Sequence, residues 1–235
     1  MQSYAYQTTR GKVFLRAPRP TPNVVMIHGF KRRVDQLVSW AERIPDLGFV
    51  HLPGHGGAAP FAEANVEAWA DGIGQAFAHF PKPPLIIAES LGAMVAMNVP
   101  ATAIIAVEPL LSVDQLWPLH RTIRNARARG MVVEPELLSL FEQPFHWVLD
   151  RISVPTLVLA GDVPLLPERA VFPEPSLLTD EDFAAYAAHP RVTAARVAGG
   201  HTLLDVNPQG VMEAAAGFMT RHGYLAGTPA GAVTS

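Results

Sequence analysis

The stretch Pro83-Pro84-Leu85-Ile86-Ile87-Ala88-Glu89-Ser90-Leu91-Gly92-Ala93-Met94-Val95-Ala96-Met97 decides how this chain is read. Its first half is an apolar run too short for a helix and bounded by prolines, which predicts a buried strand. Its second half carries small and apolar residues at helical spacing. Ser90 falls at the seam. A serine there is either an N-cap of the helix or an exposed nucleophile on a sharp strand-to-helix turn. Such a turn tolerates little side-chain bulk, and Ala88 and Gly92 stand two positions to either side of Ser90.

Outward from this seam the pattern alternates. Strands are predicted over 12–17, 23–30, at the start of 49–57 before a Gly/Pro turn, over 84–89, at the start of 102–111, and over 154–162 and 191–201. Helices are predicted over 34–44, 65–80, 91–99 and 208–223, with Asn65 capping the second and Pro208 opening the last. Several strands are apolar throughout, as in "VVMI", "LIIA" and "TLVLA". Strands buried on both faces read this way, and they belong to parallel sheets covered by helices. The fold class expected is α/β: a mostly parallel sheet flanked by helices on both faces. One domain over 1–223 is expected, followed by a disordered tail over 224–235.

Residues 112–150 are longer than a crossover needs and read as two helices forming a small lid. Trp117, Phe141, Phe145 and Trp147 either line a pocket there or pack the helices onto the sheet.

Composition bounds the chemistry. The 235 residues are 49% hydrophobic and 17% charged, which suits a large core. A net charge of −3 implies no polyanionic partner. The absence of cysteine removes disulfides, thiolate metal sites and cysteine nucleophiles. No signal-peptide pattern opens the chain and no apolar run has membrane-spanning length, so a cytoplasmic location without membrane contact is expected.

Three groups that could act together each follow a predicted strand: Ser90, Asp162 and His201. In an open parallel sheet the carboxyl ends of the strands share one edge, so residues distant in sequence converge there. Their chain order is one used by nucleophile, acid and base triads. An imidazole activates the hydroxyl, and a carboxylate fixes the imidazole tautomer. The helix after Ser90 directs backbone N–H groups at a developing oxyanion.

With "HGF" (28–30), "LPGHG" (52–56), "AESLG" (88–92), "PTLVLAGD" (155–162) and "GGH" (199–201) in hand, the chain resembles the α/β-hydrolase superfamily from about residue 24 to about residue 222. The resemblance implies Ser90 as nucleophile, His201 as base and Asp162 as acid. It implies an oxyanion hole from the N–H groups of Leu91 and Phe30. Two positions depart from the family pattern. Ala88 replaces the usual elbow glycine. In "GDVPLLP", Pro164 occupies the slot where the family often has its acid. Glu108, after the preceding strand, is the alternative acid.

His28 is expected to shape the oxyanion loop at the substrate's edge. Glu89, Trp117 and Phe145 are the other candidate substrate contacts, with plain exposure the alternative for Glu89. Asp205 reads as a local turn or cap residue. His28, His51 and His55 do not form a metal site, since the Gly/Pro-rich loop around 53–56 breaks helical spacing. "RTIRNARARG" (121–130) reads as a solvated arginine face, without the aromatics of a single-strand nucleic-acid binder. "GHGGAAP" lacks the Lys and Ser/Thr of a phosphate loop.

The expected activity is hydrolysis of a carboxylic ester or thioester through an acyl-enzyme, with a small-molecule acyl substrate and no cofactor. An acyltransferase or lyase using the same triad, and a non-catalytic ligand-binding protein, are the alternatives.

Overall fold

The computed structural model describes residues 1–131, 140–141, 143–169 and 174–224. Eight strands form one sheet: β1 (Gln2–Gln7), β2 (Lys12–Ala17), β3 (Val24–Ile27), β4 (Leu47–His51), β5 (Leu85–Glu89), β6 (Ala103–Val107), β7 (Thr156–Gly161) and β8 (Val192–Val197). Their order across the sheet is β1-β2-β4-β3-β5-β6-β7-β8. The β1–β2 and β2–β4 pairings are antiparallel, and every pairing from β4–β3 to β7–β8 is parallel. β1 escaped the sequence reading, because its sequence QSYAYQ is polar and mostly exposed.

Strand alternation sends successive residues to opposite faces. Ile27, Ile86, Ala88, Ile104, Ala106 and Val158 pack on one face, under α1 (Val66–Phe77) and α2 (Leu91–Ala96). Met26, Leu85, Ile87, Ile105, Val107 and Leu159 pack on the other. There Val211, Ala215 and Phe218 of the C-terminal helix close the layer. Both faces are thus dry, which is why the central strands show no polar alternation.

Asn65 caps α1 as expected, its Oδ1 accepting the Ala68 N–H at 2.7 Å. The helix expected over 34–44 is instead two 3₁₀ turns, Val34–Gln36 and Val38–Glu42. The buried residues Val34, Leu37 and Trp40 recur every third position, which matches three residues per turn better than 3.6. Trp40 Nε1 donates to Leu204 O at 3.2 Å, tying this segment to the histidine loop.

The excursion after β6 holds α3 (Trp117–Ala128), which buries none of its residues, and a 3₁₀ turn at His146–Arg151. Of the second lid helix expected over 135–152, residues 135–139 and 142 lie outside the described residues. From 143 on the expectation is corrected, since an irregular stretch at 143–145 containing Pro144 is followed only by the 3₁₀ turn His146–Arg151. After β7 come α4 (Asp180–Ala187), α5 (Leu203–Val206) and α6 (Pro208–Arg221). The expected tail also lies outside the described residues, save Tyr224, whose N–H donates to Met219 O at 2.9 Å. Among the described residues, no helix is long and apolar enough to cross a membrane.

Candidate active site

Ser90 directly follows β5 and opens α2 with φ +53° and ψ −125°. A non-glycine residue in this region is strained by about 1–3 kcal/mol, a cost that persists only where the surroundings over-determine it. The surroundings here are specific. The Ser90 N–H donates to Val107 O at 2.9 Å, locking the turn onto β6. A Cβ on Gly92 would stand 2.4 Å from His28 O, so only glycine lets α2 lie this close to β3. Ala88 is fully buried within β5, and its methyl is accommodated in the core. The elbow therefore needs its second small residue to be glycine far more than its first. Ser90 makes no side-chain cap hydrogen bond, so the N-cap alternative does not account for it.

Glu108 is the second strained residue, also at φ +53°, one step past β6. Its carboxylate is 0% exposed. Oε1 accepts from Gly161 N at 2.5 Å and Ser176 Oγ at 2.9 Å. Oε2 accepts from Leu177 N at 2.7 Å and faces His201 Nδ1 at 3.3 Å. A buried carboxylate is tolerable only when supplied with donors in this way. A carboxylate offers acceptors alone, so the facing Nδ1 carries the proton and Nε2 is left as the basic nitrogen.

This arrangement corrects the expectation that Asp162 faces His201. Asp162 is exposed. Its Oδ1 accepts the Gly199 N–H at 2.9 Å, and its own N–H donates to Val197 O at 3.0 Å. It braces the turn after β7 against the turn after β8. The approach of these turns is close: a Cβ on Gly161 would stand 2.3 Å from Gly199 O, and one on Gly200 would stand 1.8 Å from Glu174 O.

The segment Glu174–Leu177 runs along both partners of the His–Glu pair. Pro175 O accepts the His201 N–H at 2.9 Å, and Glu174 Oε2 accepts from Thr202 Oγ1 at 2.6 Å. Neither Ser176 nor Glu174 was singled out by sequence. They sit in a proline-rich loop with no periodicity to mark them. Burial disfavours a charged His201, but the Glu108 hydrogen bond and the charges of Glu108, Glu89 and Glu174 outweigh it and raise its pKa.

His28 is 1% exposed and spends both ring nitrogens on backbone. Nδ1 lies 2.8 Å from Gly29 O, and Nε2 accepts the Leu52 N–H at 3.1 Å. Burial lowers its pKa to about 4, so it is neutral. It holds the loop after β3 through these two bonds, which occupy both ring nitrogens. Gly29 packs on the elbow, since a Cβ there would lie 3.2 Å from Ser90 Cβ. The next residue, Phe30, therefore starts beside Ser90. As the first residue of α2, Leu91 has an N–H with no intrahelical acceptor.

Three other expected substrate contacts lie elsewhere. Glu89 is not exposed. It is 2% exposed and paired with Arg32 at 3.0 Å. Phe145 is buried in the core, and its N–H donates to Leu111 O. Trp117 donates from Nε1 to Leu165 O at 2.6 Å and carries Arg121 4.5 Å above its ring. Both aromatics pack against the core. Arg121 and Arg124 reach Glu168 from the solvated face of α3.

A cavity of about 530 Å³ adjoins the loop after β3. Phe30, Phe61, Trp69 and Leu140 form its apolar walls, and His55, Lys31, Arg32 and Arg33 also line it. Phe30 meets the His55 ring edge-on at 5.2 Å and the Phe141 ring at 6.2 Å. Phe30, on the loop after β3, is therefore a cavity wall.

The fold and this geometry agree with relationships to known proteins. The Alpha/beta hydrolase family matches residues 24–215, and the chain belongs to that family. The pimeloyl-[acyl-carrier protein] methyl ester esterase of Chromobacterium violaceum is 32% identical over 133 residues, covering 52% of this chain. The match spans half of that relative's length. Among solved structures, an esterase from Thermogutta terrifontis superposes with a TM-score of 0.68 at 18% identity, covering 94% of this chain and 99% of its own. Naproxen esterase from Bacillus subtilis gives 0.66 at 14% identity, covering 93% and 91%. At such identities these likenesses concern the fold alone.

Proposed function

We propose that the protein is a serine hydrolase that cleaves a carboxylic ester or thioester through an acyl-enzyme. The observation that carries this reading is the pair of His201 Nδ1 and the buried Glu108 Oε2, with Glu108 ending the strand next to the one that ends in Ser90, a serine held at φ +53° on the strand–helix elbow. A capping serine needs neither the strained backbone nor a histidine with a buried carboxylate partner.

In the proposed reaction, Ser90 Oγ attacks the substrate carbonyl while His201 Nε2 takes its proton. Glu108 holds the imidazole by Nδ1–H and offsets the imidazolium charge. The N–H groups of Leu91 and Phe30 receive the oxyanion. Collapse breaks the bond to the leaving alcohol or thiol, which takes the proton back from His201. Water then attacks the serine ester by the same route, releasing the acid and free Ser90. The resemblance to a methyl ester esterase favours an ester substrate, and the aromatic cavity suits an apolar acyl or alkyl group of modest size.

A fluorophosphonate probe tests the reading. Wild type should label rapidly, Ser90→Ala should not label, and His201→Ala should label very slowly. A folded wild type left unlabelled would remove the nucleophile from the scheme.

A further inference from the structure

Arg32 reaches two parts of the site from a third. It lies just after the oxyanion loop His28–Phe30. Its Nη1 donates to Glu89 Oε1 at 3.0 Å, and Glu89 immediately precedes the nucleophile. Nη1 and Nη2 also grip both oxygens of Asp205, each at 2.8 Å, and Asp205 lies in α5, four residues past His201. The arginine side chain is only 13% exposed, and Glu89 is 2% exposed. No sequence motif marks this trio. Asp205 is not the local turn residue expected, since its carboxylate spans 173 positions of chain to meet Arg32.

From this geometry we infer that Arg32 is a positioning residue, a fork that ties the oxyanion loop to the elbow through Glu89 and to the histidine loop through Asp205. The inference rests on the esterase reading of the same site. A planar guanidinium suits the role because it donates in two fixed directions at once, which an ammonium cannot. His28 and the packing of Phe30 on His55 and Phe141 hold this loop on its cavity side, and the Arg32 N–H donates to Gly29 O at 3.2 Å. The Arg32 side chain adds the tie to the elbow and to the histidine loop. A loop that drifts by an ångström still binds substrate but misplaces the Phe30 N–H relative to the oxyanion. Such drift costs turnover more than binding.

Glu89 adds an electrostatic side to the clamp. Burial disfavours its charge and raises its pKa, and Asp205 acts in the same sense. Arg32, His201 and the Gly29 amide act in the opposite sense. His201 in turn is faced by Glu108, Glu89 and Glu174. An anionic Glu89 therefore helps hold the imidazolium, and its neutral isostere should let the imidazole lose its proton at lower pH.

The test compares wild type, Arg32→Met, Arg32→Lys, Glu89→Gln and the Arg32→Met/Glu89→Gln double variant on p-nitrophenyl butyrate. An aryl trifluoromethyl ketone serves as a mimic of the tetrahedral oxyanion. Arg32→Met should lower kcat by about ten- to a hundredfold with KM within threefold. Affinity for the ketone should fall by a similar factor. Arg32→Lys should fall between the two, and Glu89→Gln should move the acid limb of kcat/KM to lower pH. The double variant should be no slower than Arg32→Met alone, because both remove one linkage. Should Arg32→Met fail to fold, Arg32→Lys with full kcat and full ketone affinity would overturn the inference, as would a folded Arg32→Met indistinguishable from wild type. A wild type that neither hydrolyses the ester nor labels at Ser90 defeats the esterase reading and this inference with it. An active wild type with unaffected Arg32 variants defeats the clamp alone.

Discussion

Ser90 and Glu108 stand side by side at the edge of the sheet, each one residue past a strand end and each at φ +53°. The register makes them neighbours, since Glu89 of β5 pairs with Val107 of β6. Each N–H is held by the next strand, Ser90 by Val107 O and Glu108 by Leu159 O at 2.7 Å. Two strained turns on adjacent strands place the Ser90 and Glu108 side chains at the same edge. His201 completes the set from beyond β8.

The first prediction separates the two carboxylates. Glu108→Gln keeps the shape but removes the charge opposite His201, and it no longer enforces the Nδ1–H tautomer. By the behaviour of such triads, kcat should fall about 10⁴-fold. Asp162→Asn preserves an oxygen for the Gly199 N–H and should leave kcat within a few-fold of wild type. Steady-state kinetics of both variants on one ester decides the matter. A collapse in Asp162→Asn with an active Glu108→Gln would reverse the assignment.

A second prediction concerns pH. The base must be neutral to accept the Ser90 proton, and His201 has a raised pKa. The acid limb of kcat/KM should therefore lie above the ordinary imidazole value of about 6.5. Stability runs the other way. A group whose folded pKa is raised contributes stability that is complete below its unfolded value and lost as pH rises through its folded value. The His201–Glu108 contribution should thus fade over the pH range in which activity appears. Denaturant titrations beside kcat/KM profiles would reveal these opposed trends. Activity persisting unchanged well below pH 6 would contradict the raised imidazole.

The central strands were legible because burial on both faces writes an unbroken apolar run, and Ser90 and His201 were legible because each follows such a run at a turn. The acid was harder to read. Both Glu108 and Asp162 end apolar strands and both fit the chain order of nucleophile, acid and base, and only the resemblance of PTLVLAGD favoured Asp162. What separates them is tertiary. The turns after β7 and β8 press together at Gly161 and Gly199, so Asp162 is used up on the Gly199 N–H. The loop at 174–177 delivers two donors to Glu108 instead. Arg32 and Asp205 were illegible for a similar reason, because their partnership crosses most of the chain. The aromatics at 117 and 145 carried no periodicity that could tell a pocket wall from a core contact.

A third prediction follows from the asymmetry of the elbow. Gly92→Ala would place a methyl 2.4 Å from His28 O, against backbone that cannot rotate away. The elbow and oxyanion loop would have to separate, so activity should fall by orders of magnitude along with a marked loss of stability. Ala88→Gly restores the usual residue of the family pattern, yet should only destabilise β5, by about 0.5–1 kcal/mol. Its kcat should stay near wild type. Thermal melts and kcat for the pair are the measurement. A Gly92→Ala enzyme of wild-type activity would mean that the approach of α2 to β3 is not needed.

The last prediction uses His28 as a stability probe. Its imidazole is buried and neutral, with a pKa lowered to about 4. An unfolded chain binds its proton near pH 6.5, so between about pH 6.5 and 4 the unfolded state holds more protons than the folded one. Stability must then fall as pH falls through that window, by on the order of 3 kcal/mol from this residue at its lower end. His28→Gln removes the titration. It also loses the paired contacts to Gly29 O and Leu52 N–H, so the variant should be less stable than wild type at pH 7. Its stability should nevertheless decline less steeply towards pH 4, and the two curves should converge. Urea midpoints at several pH values test this directly. Parallel curves would mean that His28 takes up a proton in the folded protein, so that its two backbone bonds do not hold it neutral.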